Sequence, residues 1–171
     1  MDTVIQIGEK APGFELPGLD GKMHSLNELN GQVVVLNFWS AECVWSQRVD
    51  EELVIAVEEW GERVVTLWVA SNANEPRELI EGVVAERKLP GVLLDAQHQV
   101  ADRYGAQVTP QFFIVDVAGK LAYQGAWDDI TFRKRTATQK YVRDAVDALL
   151  VGRSLQVEQT EPYGCTLVRY E

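Results

Sequence analysis

Residues 33–46, Val33-Val34-Val35-Leu36-Asn37-Phe38-Trp39-Ser40-Ala41-Glu42-Cys43-Val44-Trp45-Ser46, decide how the rest of the chain is read. Val33 to Trp39 is an almost unbroken apolar run rich in β-branched and aromatic side chains, the composition of a central strand covered on both faces. After Cys43 the period changes. Val49, Leu53, Ala56, Val57 and Trp60 recur at the spacing of one face of an amphipathic helix, and Gly61 follows as a stop. Cys43 therefore stands where a helix begins. Free backbone N–H groups and the positive end of the helix dipole stabilise a thiolate there and lower the thiol from its free pKa of about 8.5. Glu42 beside it opposes the charge and limits the shift. A cysteine is also a common small core residue, but strand, turn, cysteine and helix coincide here as a nucleophile requires.

The segment Phe38 to Ser46 resembles the active-site segment of the thioredoxin-like superfamily. Most members carry Cys-x-x-Cys there; this chain has Cys43-x-x-Ser46. The hydroxyl of Ser46 cannot resolve a mixed disulfide by attacking Cys43. A second stretch, Val108-Thr109-Pro110-Gln111-Phe112-Phe113-Ile114-Val115-Asp116, resembles the cis-proline of that superfamily followed by its central antiparallel strand. A proline directly before a buried strand is where a cis bond is expected. The resemblance implies that Pro110 faces Cys43 and that Thr109 lends its backbone to a bound substrate chain. The phrase Gly8-Glu9-Lys10-Ala11-Pro12-Gly13-Phe14-Glu15-Leu16 is similar to the start of the redoxin branch, which holds the alkyl hydroperoxide reductase/thiol-specific antioxidant proteins and thioredoxin-like reductases with a longer N-terminus.

The 171 residues suffice for one domain with a real core. Apolar content of 46% and charged content of 25% are those of an ordinary globular protein. A net charge of −10 argues against a nucleic-acid partner and against anionic membranes. No stretch approaches the roughly 20 apolar residues of a membrane helix, and Met1 to Gly8 has neither the basic region nor the apolar core of a signal peptide. The expectation is a cytoplasmic protein whose two cysteines are reduced or redox-active.

Outward from the decisive stretch, the chain divides into residues 1–152, a thioredoxin-like redoxin domain, and residues 153–171, a tail carrying the second cysteine. Phe14-Glu15-Leu16 and Met23-His24-Ser25 flank the turn dipeptide Asp20-Gly21 as an N-terminal hairpin. Ser25-Leu26-Asn27-Glu28 fits a capping box. Val64 to Ala70 reads as the next strand. A helix with Pro76 at its first position and Asn74 or Glu75 as cap runs to about Lys88 on Leu79, Ile80, Val83 and Val84. Val92 to Asp95 is extended, and Val100 to Tyr104 is a short helix. Lys120 to Gln124 pairs back after the turn Ala118-Gly119. Thr136-Ala137-Thr138-Gln139 fits a capping box for a last helix buried through Val142, Ala145, Val146 and Leu149. The order gives an α/β thioredoxin-like fold: a central mixed sheet flanked by helices on both faces, after an N-terminal β-hairpin.

Asn37 stands where thioredoxins commonly hold a buried acid that assists proton transfer, and an amide cannot fill that role. Some thioredoxin-like reductases use a glutamate after the following strand, and Glu75 matches that placement; its plainer reading is an exposed helix cap. Cys165, in Glu161-Pro162-Tyr163-Gly164-Cys165-Thr166, has three open readings: a thiol that resolves Cys43, an inert tail thiol, or a link to a partner. Trp39, Trp45 and Trp127 are expected near the cysteine as an apolar platform for a bound thiol substrate, core packing being the plainer reading for Trp39. Asp128 and Asp129 read as turn caps, and Arg133-Lys134-Arg135 as a solvated loop. His24 and His98 share no ligand spacing, so no metal site is expected, and no cofactor-binding motif is present.

The preferred activity is thiol–disulfide exchange or antioxidant thiol chemistry on a protein or small-molecule thiol or disulfide, with Cys43 attacking. One alternative is a peroxiredoxin-like thiol peroxidase. Ser40 matches the hydroxyl of the peroxiredoxin Pro-x-x-x-Thr/Ser-x-x-Cys loop, but Leu36 stands in place of its proline, and Pro110 and Gln111 where its arginine is expected. The other alternative is a redox sensor or partner-binding module without turnover, since one scaffold hosts many activities.

Overall fold

The computed structural model describes residues 4–170. Two short strands, β1 (Glu15–Pro17) and β2 (Met23–Ser25), pair antiparallel and lead through a 3₁₀ turn (Leu26–Leu29) into β3 (Val33–Trp39). Then follow α1 (Val44–Trp60), β4 (Val64–Ala70), α2 (Arg77–Arg87), β5 (Val92–Leu94) and α3 (Gln99–Tyr104). The second half holds β6 (Val108–Thr109), β7 (Gln111–Val115), β8 (Leu121–Gly125), α4 (Tyr141–Leu150) and β9 (Cys165–Thr166).

The main sheet has the order β5-β4-β3-β7-β8. β3 runs parallel to β4 and antiparallel to β7, so the sheet is mixed about its centre. All seven residues of β3 are buried, which is why that strand reads as a continuous apolar run rather than an alternation. Alternate residues feed two cores. Val33, Val35 and Trp39 pack with Leu53, Ala56 and Trp60 of α1 and Val142, Ala145 and Val146 of α4. Val34, Leu36 and Phe38 pack on the opposite face with Tyr104 of α3, Phe113 and Phe14. The hairpin, the mixed sheet and the two helix layers are as the sequence implied. The ends of the expected divisions, residues 1–3 and 171, lie outside the described residues.

Several local details differ from the sequence reading. Neither capping box forms: Ser25 makes no side-chain cap, and α4 begins at Tyr141 with Lys140 as an uncapped N-cap. The amides of Thr138 and Gln139 instead donate to Oδ1 of Asp129, 2.9 and 3.1 Å away, so an aspartate nine residues upstream takes the role assigned to Thr136–Gln139. Pro76 occupies the N-cap of α2 rather than its first turn. Among the described residues, no helix is long and apolar enough to cross a membrane.

Candidate active site

β3 ends at Trp39, and four residues later Cys43 is the N-cap of α1. The turn between them is gripped from two sides. Glu75 accepts from the Ser40 hydroxyl at 2.5 Å, from the Ala41 amide at 2.8 Å and from the Glu42 amide at 3.3 Å. Asn72 adds a fourth donor to the same carboxylate. Arg87, from the end of α2, donates to the Ala41 carbonyl at 2.9 Å. Glu75 is therefore not an exposed helix cap: it is 8% exposed and binds backbone donors of the turn that presents Cys43. Polar groups placed this way lock a loop because breaking any one leaves a buried donor unpaired.

Ser46 is fully buried, and its Oγ accepts the Ser40 amide at 3.3 Å. It closes the same turn from the helix side. Beneath the turn lies a network that the sequence reading did not single out. Asp50, 1% exposed, accepts from the Trp39 and Trp68 indoles at 2.7 and 2.9 Å and from Arg87 at 2.9 Å. Burial pushes the Asp50 carboxyl upward against the opposing pulls of Trp68, Trp39 and Arg87. The detectable signal was an acid on the apolar stripe of α1, one residue after Val49.

Opposite Cys43 stands the Thr109-Pro110 bond, which is cis. The Thr109 carbonyl oxygen is 3.3 Å from Cys43 Sγ. The tail completes the site: Cys43 and Cys165 form a disulfide with their Cα atoms 6.2 Å apart, within the ordinary range for a bridge. β9 pairs antiparallel with β6, Thr109 opposite Cys165 and Val108 opposite Thr166. The backbone of Thr109, expected to hold a substrate chain, thus holds the chain's own tail.

The tail is anchored on both sides of this crossing. Before it, the Thr160 amide donates to the Gln124 carbonyl at 3.1 Å, and Thr160 Oγ1 receives the Ala126 amide at 2.9 Å. After it, Leu167 is 3% exposed and donates its amide to the Gln107 carbonyl. Val168 exchanges hydrogen bonds with Asn72 and Ala73. Arg169 pairs with Asp102 at 2.6 Å, and the Tyr170 amide donates to His98 Nε2 at 3.2 Å. Gly164 is required at the approach, because a Cβ there would run into the Thr109 carbonyl.

The three tryptophans separate. Trp39 is fully buried with its indole on Asp50, so it cannot serve as a substrate platform. Trp127, 4% exposed, packs its ring on Phe112 at 5.3 Å and is core as well. Trp45 is half-buried, and its face is met by Tyr163 of the tail at 4.9 Å. Asp129 caps its turn, but Asp128 forks onto Arg48 at 2.8 and 3.1 Å. Lys134 of the basic run pairs with Asp129, while Arg133 and Arg135 are exposed. Asn37 is fully buried, and neither its side-chain nitrogen nor oxygen has a partner among the described residues. Among those residues no group of three or more His, Cys, Asp or Glu gathers as a metal site.

The model of the AhpC/TSA family matches residues 7–124. The thiol-disulfide oxidoreductase ResA of Geobacillus thermodenitrificans (strain NG80-2) is 31% identical over 123 residues, which span 70% of this chain and 68% of that protein. Two solved structures extend the likeness through the tail. An uncharacterized conserved protein from Geobacillus kaustophilus is 28% identical with a TM-score of 0.88, covering 99% of this chain and 94% of the other. A hypothetical protein from Sinorhizobium meliloti 1021 is 28% identical with a TM-score of 0.85, covering 98% and 97%.

Proposed function

The chain belongs to the AhpC/TSA family within the thioredoxin-like superfamily and is a thiol-dependent oxidoreductase of the redoxin type; we propose that Cys43 is its nucleophile and Cys165 its resolving thiol. The observation that carries this reading is the Cys43–Cys165 disulfide, held across the paired residues Thr109 and Cys165. The active-site helix has Ser46 where a second cysteine would stand, and the tail supplies the missing sulfur from another direction.

The cycle runs as two exchanges. The Cys43 thiolate, favoured by its place at the start of α1, attacks one sulfur of a substrate disulfide. A Cys43–substrate bond forms and the other substrate sulfur leaves with the electron pair as a thiolate. The Cys165 thiolate then attacks Cys43 Sγ, forming the internal disulfide and expelling the second substrate thiolate. The substrate gains two electrons and the protein loses two. Substrates are thiols and disulfides, of proteins or small molecules. We place the cycle in the cytoplasm, where a disulfide that opens and closes is of the catalytic or sensing kind.

Peroxide reduction has less support. The Ser40 hydroxyl that matched the peroxidase loop is spent on Glu75, and Arg87, the arginine bound to the turn, is engaged by Ala41 and Asp50. A sensor without turnover would use the same two sulfurs, and turnover with a disulfide substrate separates it from the enzyme.

The test is intact mass with thiol alkylation, before and after a small excess of hydrogen peroxide, which oxidises two thiols to a disulfide and is itself reduced to water. The expected product is lighter by two hydrogens, resists alkylation and maps to Cys43–Cys165. Two alkylatable thiols after oxidation, or a persistent sulfenate on Cys43, would remove Cys165 from the cycle. Exchange activity retained in Cys43→Ser would sink the thiol reading altogether.

A further inference from the structure

We propose that the loop between β8 and α4 is a docking surface for the protein that exchanges thiols with the Cys43–Cys165 couple, and that it selects a partner whose cysteine is flanked by an apolar residue and a cluster of acids. The inference rests on the couple proposed above and names the class of partner it serves.

The loop stands beside the bridge. The Phe132 amide donates to the Tyr163 hydroxyl at 2.8 Å, and the Tyr163 ring meets Trp45. Tyr163 lies two residues before Cys165, and Trp45 two residues after Cys43. One tyrosine side chain therefore reaches from the loop to both arms of the site. The loop also lies beyond the family-matched residues 7–124, so the family assignment does not account for it.

The loop is held in place. Asp129 accepts from the Thr138 and Gln139 amides, from the Thr138 hydroxyl and from Lys134. Thr131 and Lys134 exchange backbone hydrogen bonds at 2.9 and 3.2 Å. Such order costs conformational entropy, yet the side chain it presents gains little from folding. Phe132 is 71% exposed, the most exposed large apolar residue among those described. Arg133 and Arg135 are exposed as well, and neither guanidinium has a carboxylate partner among the described residues. Aromatic and arginine side chains are the types that anchor protein interfaces, and here they are fixed in water beside a reactive bridge.

The ground between loop and bridge is filled. The cleft lined by Trp45, Pro110, Ile130 and Tyr163 has a volume of about 10 Å³, room for at most one water. A small molecule finds no pocket there. A protein surface meets an apolar face that runs from Val44, 65% exposed, through Trp45 and Tyr163 to Phe132.

Charge sets the kind of protein. The chain carries −10 overall, so most of its surface repels an acidic partner, and the two unpaired arginines fix where that partner's acids land. Glu42 beside Cys43 and Glu161 before Tyr163 are exposed acids. The attraction is therefore local to the loop, and it asks for an acidic cluster in the partner and not for a high net negative charge. A nucleic acid would meet the same −10 with only this small patch to hold it.

The probes are two synthetic peptides, each with one cysteine preceded by leucine, followed by a run of glutamates in one and of lysines in the other. Each reduces the oxidised full-length chain: two peptide thiols become a peptide disulfide, and the bridge becomes two thiols, which mass spectrometry follows. The flanking charges alter the reactivity of the peptide thiol itself. The quantity read is therefore the glutamate-to-lysine rate ratio in the wild type divided by that ratio in Arg133→Glu/Arg135→Glu, in which the peptide's own reactivity cancels. The expected quotient at low salt is about 10-fold, collapsing toward unity at about 1 M salt, where charges more than about 3 Å apart are screened. Phe132→Ala should slow the glutamate peptide about 5-fold and slow its counterpart with serine in place of leucine less. A quotient near unity at low salt, or an equal effect of Phe132→Ala on both peptides, would overturn the inference and leave the couple standing. A short single-stranded DNA that binds the chain more tightly than the glutamate peptide would assign the patch to nucleic acid and overturn it too. A chain that forms no Cys43–Cys165 disulfide on oxidation overturns the couple, and the inference with it.

Discussion

Tyr163 stands edge-on to Trp45, their ring centroids 4.9 Å apart at 79°, and so ties the approach of the tail to the first turn of the active-site helix. The Tyr163 hydroxyl also accepts the Phe132 amide at 2.8 Å. The contact brings Cys165 toward Cys43 without using either sulfur. An aromatic pair of this kind contributes about 0.5–1.5 kcal/mol beyond the area it buries. Tyr163→Ala should lower the equilibrium constant for closing Cys43–Cys165 by about 2- to 10-fold. Titration of the full chain against reduced and oxidised glutathione measures it, and an unchanged constant would mean that Trp45 does not guide the tail.

Gly164 makes a sharper prediction. A Cβ at that position would meet the Thr109 carbonyl and come within 3.1 Å of Pro110 Cδ. Neither can give way easily, because Thr109 and Pro110 are both buried in the packed site. Gly164→Ala should unseat β9, leaving both thiols open to alkylation after oxidation that closes the wild-type bridge. Its circular dichroism should match the wild type, because the sheet and helices do not depend on the tail strand. A closed bridge in that variant would show that the tail can cross the site by another route.

The main elements were legible because their signals are local. Val33 to Trp39 announces a strand buried on both faces, and the stripe from Val49 to Trp60 announces the helix behind Cys43. The Thr109-Pro110 motif carried the cis bond. What was not legible is what depends on separation along the chain. Cys43 and Cys165 are 122 residues apart, and no spacing rule places a tail beside a helix start. Asp50 and Arg87 meet across two helices, and each alone reads as an ordinary charged helical residue. Glu75 was picked out by its position after β4, yet its burial and its hold on Ser40, Ala41 and Glu42 are tertiary facts. Trp39 lies in the core as its plainer reading had it, and Trp127 joins it there, because an aromatic residue beside an active site has the same sequence signature whether it faces the substrate or the core.

The far end of the tail should respond to acid. Burial pushes the Asp102 carboxyl up, but hydrogen bonds from Arg169 and His98 outweigh it and hold the group below its ordinary value of 3.8. A depressed carboxylate contributes stability that is present above its unfolded pKa and lost as pH falls through its folded one. The Arg169–Asp102 tether should therefore hold above about pH 4 and loosen below it. Asp102 is about half exposed, so solvent screens the pair and its contribution is about 0.2–1 kcal/mol. Protection of the Val168 and Tyr170 amides, measured as exchange relative to the intrinsic rate at the same pH, should fall below pH 4 in the wild type. In Arg169→Ala, protection should already be lower near neutrality and fall less on acidification; an acid response of full size in that variant would place the titrating group elsewhere.

Glu75 offers a prediction in which structure and chemistry move in opposite directions. Its carboxylate satisfies the Ser40 hydroxyl and the amides of Ala41 and Glu42. Glu75→Ala leaves these donors without an acceptor and should cost about 2–4 kcal/mol, a fall in Tm of about 5–15 °C for a chain of this size. Glu75→Gln keeps one oxygen for the Ala41 amide, and Ser40 can rotate to accept from the new amide nitrogen. It should cost less than the alanine variant. It also removes a negative charge from the pole of α1 where the Cys43 thiolate forms, and a like charge opposes ionisation. The pH profile of Cys43 alkylation in the Cys165→Ser background should therefore shift toward acid in Glu75→Gln, although the protein is less stable. A shift toward alkali would mean that Glu75 assists Cys43 by holding the turn in place, and that this hold outweighs its charge.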